Sequence, residues 1–389
     1  MNVLQLFKLY QTFSNPLISD RFFKHKQVEE QLEKLTADFK VKQIGISAEQ
    51  RAIHLVTCGK GPTKIMLWSQ MHGDEATGTM ALLDLIGFLS TDVDEKLKDL
   101  ILTQCKLYLI PMVNPDGAER FTRRNAQQLD INRDYRYAVS PEAKILKDIR
   151  REIQPQFGFN LHDQDTLWSV GGTGNPATLS FLAPASDVDC SVNDTRESAM
   201  LVIADMYGSL NPLLPEHIGL FEESYEPRAF GDNFQHEGTA TILIEAGSKI
   251  GDPEKQEIRK YFFLAMLSGL ESIASKNFNK QQIDHYRSIP PNTKTLFHIL
   301  LNQVQVNGIE VSVGLNYITY PNPDCNACTQ AYFIVDLGDL SSWSAYETYS
   351  GKGAAIDGEI RYGETANFDF FQDGAVILSF RDGILQSKR

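Results

Sequence analysis

Apolar residues recur along this chain in two alternating rhythms. Short apolar runs of strand length (KIMLWSQ, KLYLIPMVN, FGFNLHD and ATILIEAG) are separated by stretches with helical spacing. In the stretch from residue 69 to 89, Met80, Leu82, Leu83, Leu85, Ile86 and Leu89 form one broad apolar face. Further helices are predicted at PEAKILKDIRREI, near 195 to 207, and from about Pro253 to Ser275. Residues 1 to 37 carry helical patterns, including the amphipathic KHKQVEEQLEKLTADF, and two alternating stretches around a polar turn then predict a β-hairpin. Strand and helix in alternation predict an α/β fold, a mostly parallel twisted sheet flanked by helices.

The rhythm changes after RSIPPNT. From about residue 293 the chain is rich in β-branched and aromatic residues with turn signals, as in VQVNGIEVSVG and QDGAVILSFRDG. This predicts a smaller C-terminal all-β domain over 293–389, joined through Pro290 and Pro291 to a catalytic domain over 1–285.

Composition excludes several classes. The formal net charge of -13 argues against a nucleic-acid partner. No apolar run approaches the roughly 20 residues needed to span a bilayer, so no membrane partner is expected. The N-terminus lacks the pattern of a signal peptide, and five scattered cysteines suggest no disulfide framework, so a cytoplasmic protein is the expectation. Cys325 and Cys328 form a CxxC without a second pair, which reads as two incidental thiols. The pattern is silent on oligomeric state.

Against this background, the turn between KIMLWSQ and the helix of Met80 is unusual. It carries His72, Asp74 and Glu75, where an open α/β sheet commonly places its site, beyond the carboxyl ends of the strands. The bland alternative is a polar loop with acids near a helix N-terminus. His72 and Glu75, three apart, can reach one point, but a zinc ion needs about four ligands, one of them water in catalytic sites. His162 ends the strand FGFNLHD and is placed on the same rim. The other six histidines (His25, His54, His217, His236, His285, His298) lack such a setting, although His236 lies in a loop before a strand. Glu245 ends the apolar strand ATILIEAG, where desolvation raises a carboxylate toward the range of a general base. Its dull alternative is an acid that merely caps a strand. After Asn114-Pro115-Asp116-Gly117 comes a loop dense in arginine, RFTRRNAQQLDINRDY, suited to a charged substrate group or to plain solvation.

Taken in order, the hairpin IGISAEQR, the HxxE turn, NPDG, RRNAQQLDINRDY, the strand-end histidine and ILIEAG resemble the zinc carboxypeptidases, over residues 40 to 275 or so. The resemblance implies one zinc per chain, bound by His72, Glu75 and His162, with Glu245 as general base. It implies that Asp130 orients the first zinc histidine and that Asn132 and Arg133 hold the substrate's terminal carboxylate. Arg123 would polarise the scissile carbonyl, with Arg120 and Arg124 as alternatives in the same loop. Tyr225, in SYEPRAFGDNF, matches a mobile tyrosine that closes over the substrate. Asp232 falls where the family commonly has an acid followed by an aromatic, but Asn233 intervenes before Phe234, which leaves Gly231 or Arg228 as alternatives for lining the specificity pocket. The implied partner is a peptide or peptide-like substrate with a free carboxylate.

A rival resemblance is to amidohydrolases of the aspartoacylase and succinylglutamate desuccinylase type, which share the HGxE turn, a DxNR loop, a strand-end histidine and a strand-end glutamate. NPDG, the Arg-x-Asn-Ala spacing and Tyr225 favour the carboxypeptidases. The C-terminal segment from Ile356 to Gly383 is faintly similar to the small β-sandwich of amidohydrolases.

Overall fold

The computed structural model describes residues 2–278, 283–306, 308–350 and 353–388. Met1 and Arg389, the outer limits of the expected domains, and 279–282, inside the first of them, lie outside these residues. The chain divides into two compact units. The first comprises Met1–Thr166 and Ala177–Asn292, the second Leu167–Pro176 and Thr293–Arg389.

The first unit is built on an eight-stranded sheet. Its order is Lys40–Ile46, Ala52–Cys58, Cys105–Ile110, Thr63–Ser69, Phe157–Asp163, Ala240–Ala246, Leu179–Leu182 and Ile218–Leu220. The four central strands, from Cys105–Ile110 to Ala240–Ala246, run parallel. The expected hairpin adds antiparallel to one side and Leu179–Leu182 adds antiparallel to the other. The sheet is thus parallel at its centre and mixed at its flanks: the hairpin strands need no helical crossover, whereas Ile218–Leu220 pairs parallel with Leu179–Leu182 after the helix Asp194–Leu210.

The alternation within single strands explains the layers. Ile65 and Leu67 pack into a core with the helices Thr77–Leu89, Asp194–Leu210 and Gln256–Ser275. Met66 and Trp68 point the other way, into a second core with Pro141–Ile153 and Phe230–His236. A strand covered on both faces reads as a continuous apolar run, which is what KIMLWSQ shows. The helix Pro141–Ile153 starts where its sequence says it should: Ser140 Oγ accepts from the Ala143 amide at 3.3 Å, with Pro141 in the first turn. The N-terminal region is less helical than predicted. The amphipathic stretch forms only His25–Leu32, with Val3–Leu9 before it.

One polar group interrupts the first core. Asp84, fully buried on the helix Thr77–Leu89, accepts from Arg259 Nε at 2.7 Å and Nη2 at 2.6 Å and from the Tyr10 hydroxyl. Arg259 also donates to the carbonyl oxygens of Asn15 and Ile18, so the pair ties the N-terminal segment to two helices.

The second unit is all β, as expected for the C-terminal region. Seven strands run in the order Cys328–Gly338, Ile309–Pro321, Leu296–Val306, Ala355–Gly358, Phe368–Gln372, Ala375–Arg381, Ile384–Lys388, and Ser344–Ser350 also pairs with Leu296–Val306. Phe368, Phe370, Leu378 and Phe380 fill its core with Leu301 and Leu315. The unit also takes in 167–176, where Ser169 Oγ meets the hydroxyls of Thr293 and Thr295 at 2.9 and 2.7 Å. No helix among the described residues is long and apolar enough to cross a membrane.

Removing one partner of a buried ion pair strands the other, at a cost of about 3–5 kcal/mol. Asp84→Asn should lower stability by an amount of that order in thermal unfolding, and Asp84→Asn with Arg259→Met should cost less than the two single changes summed. Additive losses would mean that the two side chains do not act as a pair.

Candidate metal and catalytic centre

The turn after Thr63–Ser69 is held from several sides. The Ser69 and Gln70 carbonyls accept from the Val113 and Asn114 amides at 3.1 and 3.0 Å, and Asn114 Nδ2 donates to the Met71 carbonyl at 3.1 Å. The glycine of HGDE is dictated by space, since a Cβ on Gly73 would lie 2.0 Å from the Gly117 carbonyl carbon. The Glu75 amide closes the turn onto the His72 carbonyl at 3.2 Å. His72 and Glu75 are thereby turned inward, both buried.

NPDG works as a suture in the same place. Asn114 Oδ1 accepts from the Gly117 amide at 2.9 Å. The fully buried Asp116 accepts from Ser47 Oγ at 2.7 Å, the Glu49 amide at 2.9 Å and Arg51 Nη1 at 2.7 Å, fastening the hairpin to the loop.

His162 arrives from the end of Phe157–Asp163. Its ring centroid lies 4.9 Å from that of His72. Glu75 sits between the rings, with Oε1 2.7 Å from His72 Nδ1 and Oε2 2.6 Å from His162 Nδ1. Ligand atoms of the three residues lie within 4.8 Å of one another. The register of the parallel strands sets Glu245 beside His162. Glu245 is buried, and its Oε2 has no hydrogen-bond partner among the described residues. A buried polar atom without a partner calls for an explanation in terms of chemistry.

Electrostatics follow from burial and crowding. Burial, reinforced by the carboxylates of Glu75 and Asp163, pushes Glu245 well above the usual carboxylate range. Glu75 is held well below it despite burial, because both imidazoles face it. Burial opposes protonation of His72, but Glu75 and Asp130 outweigh it and raise the ring to about 8. Burial lowers His162. Asp130 Oδ1 meets His72 Nε2 at 3.0 Å and so fixes the ring with Nδ1 toward Glu75.

The three arginines of the loop separate. Arg120 pairs with Glu49 and Arg124 donates to the Gln128 carbonyl. Arg123 reaches the cluster: Nη1 lies 3.1 Å from Glu75 Oε1 and 3.1 Å from His72 Nδ1, and Nη2 is 3.0 Å from Asp130 Oδ2. Asn132 Nδ2 lies 3.5 Å from His162 Nε2, and its Oδ1 accepts from the Phe230 amide at 2.9 Å. Arg133 is paired with Glu226 at 3.4 Å and half-exposed. Tyr225 is half-buried in the irregular segment before Phe230–His236. Asp232 is buried, which pushes its carboxyl up to about 6, and accepts from the Glu226 amide at 2.9 Å. Arg228 is exposed and engaged by Glu226, whereas Gly231 lies against Asn160.

Sequence reasoning passed over Lys255 and Asp163. Lys255 is buried, and its Nζ lies 2.9 Å from Asp163 Oδ2 and 3.1 Å from the Ala246 carbonyl. Thr77 Oγ1 donates to the same Asp163 oxygen at 2.7 Å. The acid in LHDQ was visible, but nothing local indicates that a lysine ninety-two residues on would meet it.

The donor set can be tested against an ion. Two imidazole nitrogens and a carboxylate suit zinc. Glu75 and Asp163 share one crevice with Glu245, whose carboxyl they push up, and buried anions require opposing charge. Lys255 serves Asp163 and Arg123 reaches Glu75 only from a partly exposed side chain, so a cation at the three ligands fits.

Comparison with known proteins agrees. Residues 26–171 match the family model for zinc carboxypeptidase. That match covers 146 of the 389 residues and includes His72, Glu75 and His162. "Probable carboxypeptidase 2" of Trichophyton verrucosum is 28% identical over 115 residues, 29% of this chain and 21% of the relative. "Carboxypeptidase SOL1" of Arabidopsis thaliana is 35% identical over 103 residues, 24% of this chain and 21% of the relative. The chain thus spans about a fifth of the length of these curated relatives. Among solved structures, a metallo-carboxypeptidase from Burkholderia cenocepacia superposes with a TM-score of 0.53 at 16% identity, over 65% of this chain and 69% of that one. One from Pseudomonas aeruginosa, in complex with (2-guanidinoethylmercapto)succinic acid, gives 0.52 at 18%, over 65% and 68%. These likenesses establish the carboxypeptidase fold.

The turn after Thr63–Ser69 rests on Gly73. Gly73→Ala should cost about 1–3 kcal/mol, the usual price of overpacking. Gly208→Ala, in the helix Asp194–Leu210 with nothing within 4 Å of the added carbon, should gain about 0.5–1 kcal/mol. Thermal unfolding of both variants checks this, and a neutral Gly73→Ala would contradict the close approach.

Proposed function

We propose that this chain is a zinc-dependent carboxypeptidase. It hydrolyses the C-terminal amide bond of a peptide or peptide-like substrate with a free carboxylate. The catalytic domain spans 1–285, with 293–389 as an accessory β-domain. The observation that carries the reading is the Glu75 carboxylate bridging two Nδ1 atoms, with the unpartnered Glu245 in register beside them.

In this reading His72, Glu75 and His162 hold one catalytic zinc. When bound, zinc supplies Lewis acidity and lowers the pKa of a coordinated water from 15.7 toward ~7. Glu245 takes a proton from the attacking water at Oε2 and passes it to the leaving amine. Its burial keeps that oxygen dry and free of competing donors. Asp130 keeps His72 oriented through Nε2. Arg123 turns its guanidinium from Glu75 toward the carbonyl oxygen as negative charge develops there. Arg133 and Asn132 bind the terminal carboxylate, with Arg133 exchanging Glu226 for the substrate. Tyr225 closes over the substrate and excludes water.

Two variants test these roles. Glu245→Gln should abolish turnover while zinc content and thermal midpoint stay at wild-type values, because the change removes a proton acceptor and no ligand. Near-wild-type activity would remove Glu245 from the mechanism. Losing one partner of a close charge pair commonly costs about 2–5 kcal/mol, so Arg133→Met should cut kcat/KM on free-acid peptides by roughly 30- to several thousand-fold. C-terminally amidated peptides should be poor substrates for the wild type and little affected by the change. Equal cleavage of free-acid and amidated peptides would contradict an exopeptidase.

A further inference from the structure

A second group of nitrogen and oxygen donors lies in the first unit, in side chains that the catalytic reading does not use. His25 and Glu29 share one face of the helix His25–Leu32, four residues apart, and His54 belongs to the strand Ala52–Cys58. Ligand atoms of these three side chains also lie within 4.8 Å of one another. The two rings stand 6.3 Å apart and nearly parallel, at 22°.

The tautomer of His25 is set from outside the group. Its Nε2 donates to the Ala52 carbonyl at 2.7 Å, so the ring proton sits there and Nδ1 presents its lone pair. Metal-ligating histidines are commonly oriented this way, through the far ring nitrogen. The Ala52 carbonyl comes from the same strand as His54, so one strand anchors one ring and supplies the other. The helix start is fixed as well: the His25 amide donates to Glu119 Oε1 at 3.0 Å and Lys24 Nζ to the Glu119 carbonyl at 2.8 Å.

Glu29 divides its two oxygens between the rings. Oε2 is 3.4 Å from His25 Nδ1 and Oε1 is 3.9 Å from His54 Nε2. Both separations exceed the usual N–H···O range, so Glu29 holds neither ring nitrogen in a normal hydrogen bond. Ligand atoms about 2.0–2.1 Å from one ion at tetrahedral angles lie about 3.3 Å apart, and these separations approach that edge. The partial exposure of Glu29 (34%) and His54 (19%) gives an ion a way in and leaves room for water in the remaining position.

We propose that His25, Glu29 and His54 form a second divalent-cation site of the zinc class, which fastens the N-terminal helix His25–Leu32 to the hairpin strand Ala52–Cys58. Imidazole and carboxylate donors suit zinc, nickel or copper better than calcium or magnesium. The role is structural. The ion crosslinks two segments about thirty residues apart and takes no part in peptide hydrolysis.

The test uses the full chain, stripped by chelator, reloaded with zinc chloride and passed through gel filtration, with metal counted by mass spectrometry. Wild type should retain two zinc ions per chain. His54→Asn and the milder Glu29→Gln should each retain one, with peptidase activity unchanged. His72→Asn with His162→Asn should also retain one, and its thermal midpoint should rise on adding zinc. Adding His54→Asn to that pair should abolish both retention and the shift. The proposal is overturned if His54→Asn and Glu29→Gln hold as much zinc as wild type, or if zinc leaves the midpoint of the His72→Asn, His162→Asn chain unmoved. Failure of the catalytic reading looks different: the His72→Asn, His162→Asn chain would then match wild type in zinc while His54→Asn still loses one.

Discussion

A carboxylate placed between two imidazole rings and away from water is stable only while positive charge faces it. Glu75 is in that position, and much of the first unit can be understood as what holds it there. His72, raised to about 8 by Glu75 and Asp130, shares its positive charge between those two carboxylates, while burial disfavours a charge on His162. Arg123 brings a cation from the solvent edge. The demand for a further cation is therefore a consequence of burial as well as of ligand spacing.

The sheet meets that demand by ending several parallel strands on one rim. Thr63–Ser69 leads into the HGDE turn, Phe157–Asp163 ends in His162, and Ala240–Ala246 carries Glu245 in register with it. Behind this line a second set of charges is arranged to keep the first in place. Lys255 and Thr77 engage Asp163, Asp116 fastens the hairpin, and the Asp84–Arg259 pair fixes the helix that follows the turn. Each is a buried charge with a partner, so each specifies where a segment must lie, and the apolar cores supply the bulk of the driving force.

What could be read in the sequence was whatever is local. The four central strands announce themselves because both faces are covered, and the helix Thr77–Leu89 because its apolar positions repeat. HxxE is legible because a turn brings residues three apart to one point, and His162 because a strand-end histidine is conspicuous. The missed features depend on partners far along the chain. Asp84 is one polar position in an apolar helix, and only Arg259, 175 residues on, gives it meaning. Asp116 belonged to a motif suggestive of the site and proves to be tied to the hairpin. His25 and His54 offered no strand-end setting, because their neighbourhood exists only once the helix is laid on the hairpin. Leu179–Leu182 and Ile218–Leu220 are too short to carry a period, and nothing local assigns 167–176 to the second unit.

The arginine loop shows the limit of spacing arguments most clearly. Arg120, Arg123 and Arg124 lie within five residues, yet they point to Glu49, to Glu75 and to the Gln128 carbonyl. Their division follows from the short helix Pro115–Arg120 and the turn after it, which aim successive side chains in different directions. Everything proposed for this rim depends on whether Glu75 and the two Nδ1 atoms together hold an ion. The most direct measurement is an anomalous difference map at the zinc edge from crystals of the zinc-loaded chain. A peak is expected about 2.0–2.2 Å from His72 Nδ1, His162 Nδ1 and a Glu75 oxygen, with the Arg123 guanidinium withdrawn from His72 Nδ1. A map with no peak there, and Arg123 still between His72 and Glu75, would contradict it.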